Sequence, residues 1–255
     1  MSKYVHDFKV VENRKINDDY FVLNVESPQP LPDLFPGQFV EIRVDNAPNT
    51  FLRRPISIYE VDRKKNLISL LFLIVGEGTA KLAGLTEGDK VNMIYPLGNS
   101  FTLPSEGPVL LAGGGVGVAP LLFLGKHLVE KGIKTDFLLG ARSSSHLVDL
   151  DKFDSLGSVK TTTEDGSGGF KGLITRHPLF EGEWDYKAVY TCGPVAMMKA
   201  VAGIAEKKGT LCEASLENTM ACGFGACLCC TQETVRGNVC VCTEGPVFNS
   251  KDLVW

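Results

Sequence analysis

The chain has 255 residues and a hydrophobic fraction of 44%, enough for two compact domains or one large domain with a real core. A formal net charge of −4, with no basic run interleaved with aromatic residues, excludes a basic nucleic-acid-binding surface. The sequence MSKYVHDFKVVENRK lacks the apolar core of a signal peptide, and the longest apolar run, LISLLFLIV, is too short to span a bilayer. We therefore expect a cytoplasmic protein that has no membrane segment and binds no nucleic acid.

The N-terminal part of the chain has the pattern of a small β-barrel or sandwich. Short strand-like runs are separated by Gly, Asn, Asp and Pro, namely FKVVENRKI, YFVLNVES, QFVEIRV, RRPISIYEV, LISLLFLIV and DKVNMIYPLG. Adjacent Arg53 and Arg54 would point to opposite faces of a strand, so only one can line a given site, where a guanidinium would suit a pyrophosphate. Gly78 and Thr79 precede a possible helical turn that would also suit a phosphate.

From about Pro104 the pattern changes to alternating strands and helices, which predicts a parallel sheet covered on both faces. SHLVDLDKFDSL is one of the predicted helices. In LLAGGGVGVAP a glycine-rich loop follows a buried strand and opens a helix, which favours a bound phosphate over an empty turn. TCGP repeats the strand–turn–helix arrangement. Both turns should lie at the carboxyl ends of parallel strands, where such sheets bind ligands.

The C-terminal tail concentrates six of the eight cysteines. The spacing C-x4-C-x2-C followed by a distant Cys is that of plant-type [2Fe–2S] sites, and it favours such a cluster over a four-cysteine zinc site or unligated thiols. The spacing leaves two choices open. Cys229 or Cys230 could be the third ligand. Cys240 or Cys242 could be the fourth, because VCVCT looks like a strand that would point both thiols the same way.

Taken together and in order, these motifs resemble the electron-transfer subunits of NAD-dependent (class 1B) dihydroorotate dehydrogenases, in the ferredoxin reductase superfamily. The resemblance covers the whole chain. Its motifs are RRPIS, GEGT, YPLGNSF, LLAGGGVGVAPL, TEDGSGGFKG, TCGP, SLENTMACGFGACLCC and CTEGPVF. It implies a ferredoxin reductase-like fold with a β-barrel FAD domain over residues 1–103, an α/β parallel-sheet NAD domain over 104–210 and a small C-terminal [2Fe–2S] domain over 211–255.

The resemblance also implies the site residues, although it assigns no catalytic residue to this chain. Three segments would hold the flavin: Arg54, Pro55, Ile56 and Ser57; Leu71, Phe72 and Leu73; Gly78 and Thr79. Relatives often have Tyr and Arg where this sequence has Phe72 and Leu73. The two glycine turns would hold NAD(H) through Gly113, Gly114, Gly115, Gly117, Cys192, Gly193 and Pro194. The implied cluster ligands are Cys222, Cys227, Cys230 and Cys242.

The function implied is electron transfer in pyrimidine biosynthesis. A partner subunit that contains FMN would oxidise dihydroorotate, and electrons would pass through the cluster and FAD of this chain to NAD+. The assembly would be a heterotetramer of two copies of each subunit. Two alternatives remain: a subunit of similar build in a ferredoxin:NAD(P) reductase or sulfide dehydrogenase, and a zinc-stabilised nucleotide-binding module without redox activity.

Overall fold

The structure, a computed structural model, describes residues 2–255. Its internal contacts divide the chain into two compact units. The first takes in the chain through Ser100 together with Glu217–Gln232 and Asn238–Pro246. The second comprises Phe101–Leu216, Glu233–Gly237 and Val247–Trp255. The cysteine tail contributes segments to both units, and its separation as a third domain stays a prediction.

The first unit contains a closed barrel of antiparallel strands, as the alternation of short apolar runs and turns predicts. The strand order is β1-β2-β5-β4-β3-β6. Phe8, Val10, Val25, Ile68 and Leu70 are fully buried in its core. The elements are β1 (Tyr4–Lys15), β2 (Tyr20–Glu26), β3 (Phe39–Ile42), β4 (Arg54–Asp62), β5 (Leu67–Leu73), α1 (Glu77–Ala83) and β6 (Lys90–Leu97).

The second unit is built on a seven-stranded sheet of order β10-β9-β8-β7-β11-β12-β15, parallel except for the last strand. Its strands are β7 (Val109–Gly114), β8 (Thr135–Ala141), β9 (Ser158–Thr163), β10 (Phe170–Lys171), β11 (Ala188–Cys192), β12 (Leu211–Ser215) and β15 (Val247–Asn249). Its helices are α2 (Ala119–Glu130), α3 (Leu150–Asp154) and α4 (Val195–Lys207). The predicted parallel sheet is therefore present, and the end of the tail extends its edge.

Local geometry corrects two predictions from the sequence. The helix expected over SHLVDLDKFDSL is limited to a 3-10 turn at Ser144–His146 and to α3, because Asp149 between them has a left-handed conformation with φ 45°. The strand expected over VCVCT is also wrong. A hairpin of β13 (Thr231–Thr234) and β14 (Gly237–Cys240) ends at Cys240, and the short helix α5 (Val241–Glu244) begins at the next residue.

Candidate functional site

The predicted flavin segment begins at Arg54, the first residue of β4, while Arg53 lies just before the strand. The two arginines have different surroundings. Arg53 donates from Nη1 to the backbone oxygens of Glu41, at 3.2 Å, and Asn92, at 3.0 Å, which ties it to β3 and β6. The side chain of Arg54 lies beside Gly78, because a Cβ atom placed on that glycine would be 3.3 Å from Arg54 Cδ. Arg54 is thus next to the third predicted flavin segment.

The other predicted flavin residues contribute mainly backbone and packing. Leu71 and Phe72 on β5 are buried, and the Phe72 ring packs against Phe21 with 6.0 Å between ring centroids. Gly78 and Thr79 both lie within α1, whereas the sequence suggested that they precede a helical turn. Thr79 Oγ1 accepts hydrogen bonds from the N–H groups of Val75, at 2.9 Å, and Gly76, at 3.3 Å. The Thr79 side chain therefore stabilises the start of its own helix. Assignment of these residues to a flavin stays a prediction.

The two glycine turns meet at the carboxyl edge of the parallel sheet. β7 and β11 are neighbours, with Gly113 opposite Cys192, and both strands lead directly into the turns. A Cβ atom placed on Gly117 would lie 2.5 Å from the Cα atom of Gly193, so only glycine allows the turns to approach this closely. The Cys192 side chain is fully buried, and Pro194 caps the N-terminus of α4. The predicted meeting of the two turns at this edge is present, and assignment of these residues to NAD(H) stays a prediction.

The four predicted cluster ligands lie in one compact unit as two interacting pairs of thiols. Within residues 222–230, here called the cysteine loop, Cys222 interacts with Cys227, and Cys230 interacts with Cys242 and also with Cys240 outside the predicted set. The backbone of Gly225, between the first two cysteines, is hydrogen-bonded to the thiol of Cys242 and so connects the pairs. Within residues 2–255, no three His, Cys, Asp or Glu side chains are close enough together to hold a metal ion, and the ligand set stays a prediction.

Backbone N–H groups point at these sulfurs, which is what a thiolate-ligated cluster requires. The N–H of Ala226 donates to Cys222 Sγ at 3.3 Å, and the N–H of Cys242 donates to Cys230 Sγ at 3.3 Å. Burial raises the pKa of the Cys222 thiol, but hydrogen bonds from the backbone of Phe224, Cys227 and Ala226 outweigh it and bring the pKa to about 6. Burial and the neighbouring Cys230 instead raise the pKa of Cys242 to about 12. Thiolates are soft donors of the kind that iron–sulfur clusters use.

Sequence reasoning missed Glu41. This residue of β3 is completely buried, and neither carboxylate oxygen has a hydrogen-bond partner among the residues that the structure describes. Burial raises its pKa to about 7, against the opposing effect of the Arg53 and Arg54 charges, while the charge of Cys222 raises it further. The only signal in the sequence is a charged residue inside the apolar strand FVEI.

Comparisons with known proteins agree with this arrangement. Residues 217–254 match the model of the iron–sulfur cluster binding domain of dihydroorotate dehydrogenase B. The chain is 37% identical over 98% of its length to the dihydroorotate dehydrogenase B (NAD(+)) electron transfer subunit of Fusobacterium nucleatum, covering 98% of that protein. It is 41% identical to the corresponding Clostridium acetobutylicum protein, with 96% of each chain covered.

Solved structures give the same fold. A structure of NADH-dependent reduced ferredoxin-NADP oxidoreductase superimposes with a TM-score of 0.89 and 31% identity, over 97% of this chain and 90% of that one. The FAD/NAD binding domain of a nitric oxide dioxygenase from Vibrio cholerae gives a TM-score of 0.70 at 18% identity, over 80% of this chain and 93% of the other. The ferredoxin reductase-like fold predicted from the motifs is confirmed.

None of the helices in residues 2–255 is both long and apolar enough to cross a membrane. The cluster-binding domain predicted in the tail and the electron-transfer role are both confirmed by the family match. With full-length relatives at this level of identity, the chain belongs to the family of dihydroorotate dehydrogenase B (NAD(+)) electron transfer subunits.

Proposed function

We propose that this chain passes electrons from a catalytic partner, an FMN-containing dihydroorotate dehydrogenase, to NAD+. The observation that carries the proposal is the placement of Arg54 and the cysteine loop within one compact unit, which holds both the proposed flavin segment and the proposed cluster segment. Bound FAD supplies the conversion between two-electron hydride transfer and one-electron transfer. FAD, a [2Fe–2S] cluster and NAD(H) are the cofactors that suit the three groups of residues.

The residues of this chain bind the cofactors and hold them in position. Arg54 provides a charged, planar donor for the flavin pyrophosphate. The glycine turns at Gly113–Gly117 and Gly193 present backbone N–H groups to the nicotinamide nucleotide. Cys222, Cys227, Cys230 and Cys242 hold the iron, and the N–H groups of Ala226 and Cys242 neutralise charge on sulfur. Eight cysteines without a disulfide are typical of a reducing compartment, which favours the cytoplasm.

The partner is proposed to bind at the cysteine loop and to complete a heterotetramer of two copies of each subunit. Phe224 and Leu228 in this loop are 46% and 66% exposed, so two apolar side chains beside the proposed ligands are available to a partner. An obligate interface buries about 2,000 Å² or more and centres on such apolar anchors. The loop therefore suits a tight interface with the protein that supplies the electrons.

The experiment is to purify the chain with and without the co-expressed FMN subunit. Iron, acid-labile sulfide and FAD are measured on the chain alone. Dihydroorotate-dependent NAD+ reduction is measured on each protein and on their complex. We expect activity only in the complex, and a single peak on gel filtration. A zinc-containing chain without labile sulfide, or separate elution with activity independent of mixing, contradicts the proposal.

A second candidate is a subunit of a ferredoxin:NADP reductase of similar build. The similarity to the reduced ferredoxin-NADP oxidoreductase, at 31% identity over nearly the whole chain, supports it. Reduction of NADP+ by reduced ferredoxin, with no dihydroorotate-dependent activity in the presence of the FMN subunit, would favour this candidate.

A further inference from the structure

Glu41 presents an energetic problem that packing alone does not explain. The residue is fully buried, and both carboxylate oxygens lack hydrogen-bond partners among the described residues. Buried carboxylates are normally hydrogen-bonded or paired, because removing an unpaired charge from water is costly. An apolar residue of similar size would fill the same space without this cost. The carboxylate therefore needs a role that depends on its charge.

Glu41 adjoins both the predicted flavin segment, through its backbone, and the cysteine loop, through its side chain. In the β3–β4 ladder Glu41 is opposite Pro55. On its other side it packs against Gly223, where a Cβ atom would lie 2.6 Å from Glu41 Cγ and 3.1 Å from Oε1. Gly223 follows Cys222 and has a left-handed φ of 75°. A side chain at that position would displace the carboxylate, so the loop is shaped to receive it.

The nearby cations Arg53 and Arg54 offset only part of the cost of burying the Glu41 carboxylate. Arg53 donates to the backbone oxygen of Glu41, at 3.2 Å, and to Asn92, while the Glu41 carboxylate accepts no hydrogen bond from it. The Glu41 side chain contacts Gly223, the residue next to the predicted cluster ligand Cys222. Charges separated by protein interior interact far more strongly than charges in water. An electron added to a centre at the loop would therefore raise the electrostatic energy of the Glu41 carboxylate, and the carboxylate charge would in turn make that electron harder to add.

Building on the proposed function, we propose that the carboxylate of Glu41 sets the reduction potential of the iron–sulfur centre held by the cysteine loop. A reduced centre carries one more negative charge than the oxidised centre, so a negative charge fixed beside the loop disfavours reduction and lowers the potential. Glu41 is a positioning residue in this role. It ligates nothing and acts through its electrostatic field on Cys222 and its neighbours.

The test is an equilibrium redox titration of the full-length, cofactor-loaded chain and its E41Q variant. The titration is followed by the electron paramagnetic resonance signal of the reduced cluster. We expect E41Q to raise the midpoint potential, with about a tenfold change in the reduction equilibrium, or about 59 mV for one electron. E41M removes the same charge without adding an amide, and it should produce the same rise.

E213Q is the matched control, because Glu213 is a buried carboxylate in the other unit and accepts the N–H of Thr102 at 2.9 Å. The midpoint potential of the cluster in E213Q should equal that of the wild type. An unchanged potential in E41Q or E41M with full cluster content, or an equal rise in E213Q, overturns the inference. Loss of iron and labile sulfide from both Glu41 variants also overturns it, since the role is then structural. A wild-type chain without labile sulfide contradicts the proposed function itself.

Discussion

The backbone N–H of Cys242 donates a hydrogen bond to Sγ of Cys230, with 3.3 Å between nitrogen and sulfur. Both thiols are buried, at 1% and 2% exposure, whereas Cys240 is half-buried at the end of β14. α5 begins at Val241, so the chain turns between Cys240 and Cys242. Cys240 and Cys242 both interact with Cys230, but they differ in burial, although a strand pattern would have made them equivalent.

We expect Cys242→Ser to lose most of its cluster and Cys240→Ser to retain it. A serine hydroxyl is a poor substitute for a soft thiolate that binds iron. The measurement is iron and acid-labile sulfide per chain after anaerobic purification. Cys229→Ser, an exposed cysteine beside the loop, is the control and should retain the cluster. Retention in Cys242→Ser combined with loss in Cys240→Ser would identify Cys240 as the fourth ligand.

Arg54→Ala should lower FAD retention, while Arg53→Ala should mainly lower the stability of the fold. Loss of a charge-assisted bond to a flavin phosphate costs about 1.5–3 kcal/mol, or roughly tenfold or more in affinity. Arg53 instead holds β3 and β6 together, and its loss should reduce the free energy of unfolding by about 1–3 kcal/mol. Flavin content and urea unfolding separate the two effects. Equal flavin content in both variants would contradict the assignment of Arg54.

Gly117→Ala should disrupt the nicotinamide edge. The new Cβ atom would lie 2.5 Å from backbone atoms of Gly193, so one of the two turns must move. We expect weaker NADH binding. The measurement is the dependence of flavin reduction on NADH concentration. Gly203→Ala in α4 is the matched control, because beyond the adjoining backbone of its own helix no atom lies within 4 Å of the added Cβ, and alanine favours the helix by about 0.5–1 kcal/mol. Normal NADH binding by Gly117→Ala would show that the turns can separate without cost.

Leu228→Asp should weaken the complex with the FMN subunit. Leu228 is 66% exposed and has a left-handed φ of 57°, a conformation that costs a leucine about 1–2 kcal/mol. An anchor of this kind should contribute at least about tenfold to the dissociation constant. Val235→Asp, at a similarly exposed position of the hairpin, is the control. Equal affinity of the two variants, measured by titration of the purified subunits, would place the interface elsewhere.

The Cys222 thiol should be unusually reactive in the apoprotein at neutral pH. Its pKa lies below the ordinary value, so the reactive thiolate forms as the pH rises through about 6 and is lost as the pH falls below it. The measurement is the pH dependence of iodoacetamide alkylation, with the modified cysteine identified by peptide mass. An ordinary thiol would reach half-maximal rate only near about pH 8.5. A Cys222 profile with that higher midpoint would show that the backbone hydrogen bonds are absent in solution.

Much of this protein was predictable from short stretches of its sequence. The C-x4-C-x2-C spacing, the glycine turn at Gly113–Gly117 and the alternating runs of the barrel each depend on chain geometry over a few residues. Local periodicity is reliable there because neighbouring residues alone decide whether a turn, a strand or a ligand loop can form. The order of these motifs along the chain was then enough to indicate the family.

Other features were decided only when distant segments came together. The burial of Glu41 depends on contact with Gly223, which lies far along the chain. The structural role of Arg53 depends on its hydrogen bond to the backbone oxygen of Asn92 in β6. The direction of the Cys242 thiol follows from α5, whose start at Val241 the strand-like pattern of VCVCT concealed. Burial, charge interaction and hydrogen bonding are set by which surfaces meet in space. Residue spacing along the chain does not specify these long-range contacts, so the electrostatic surroundings of the cysteine loop could be seen only in the folded protein.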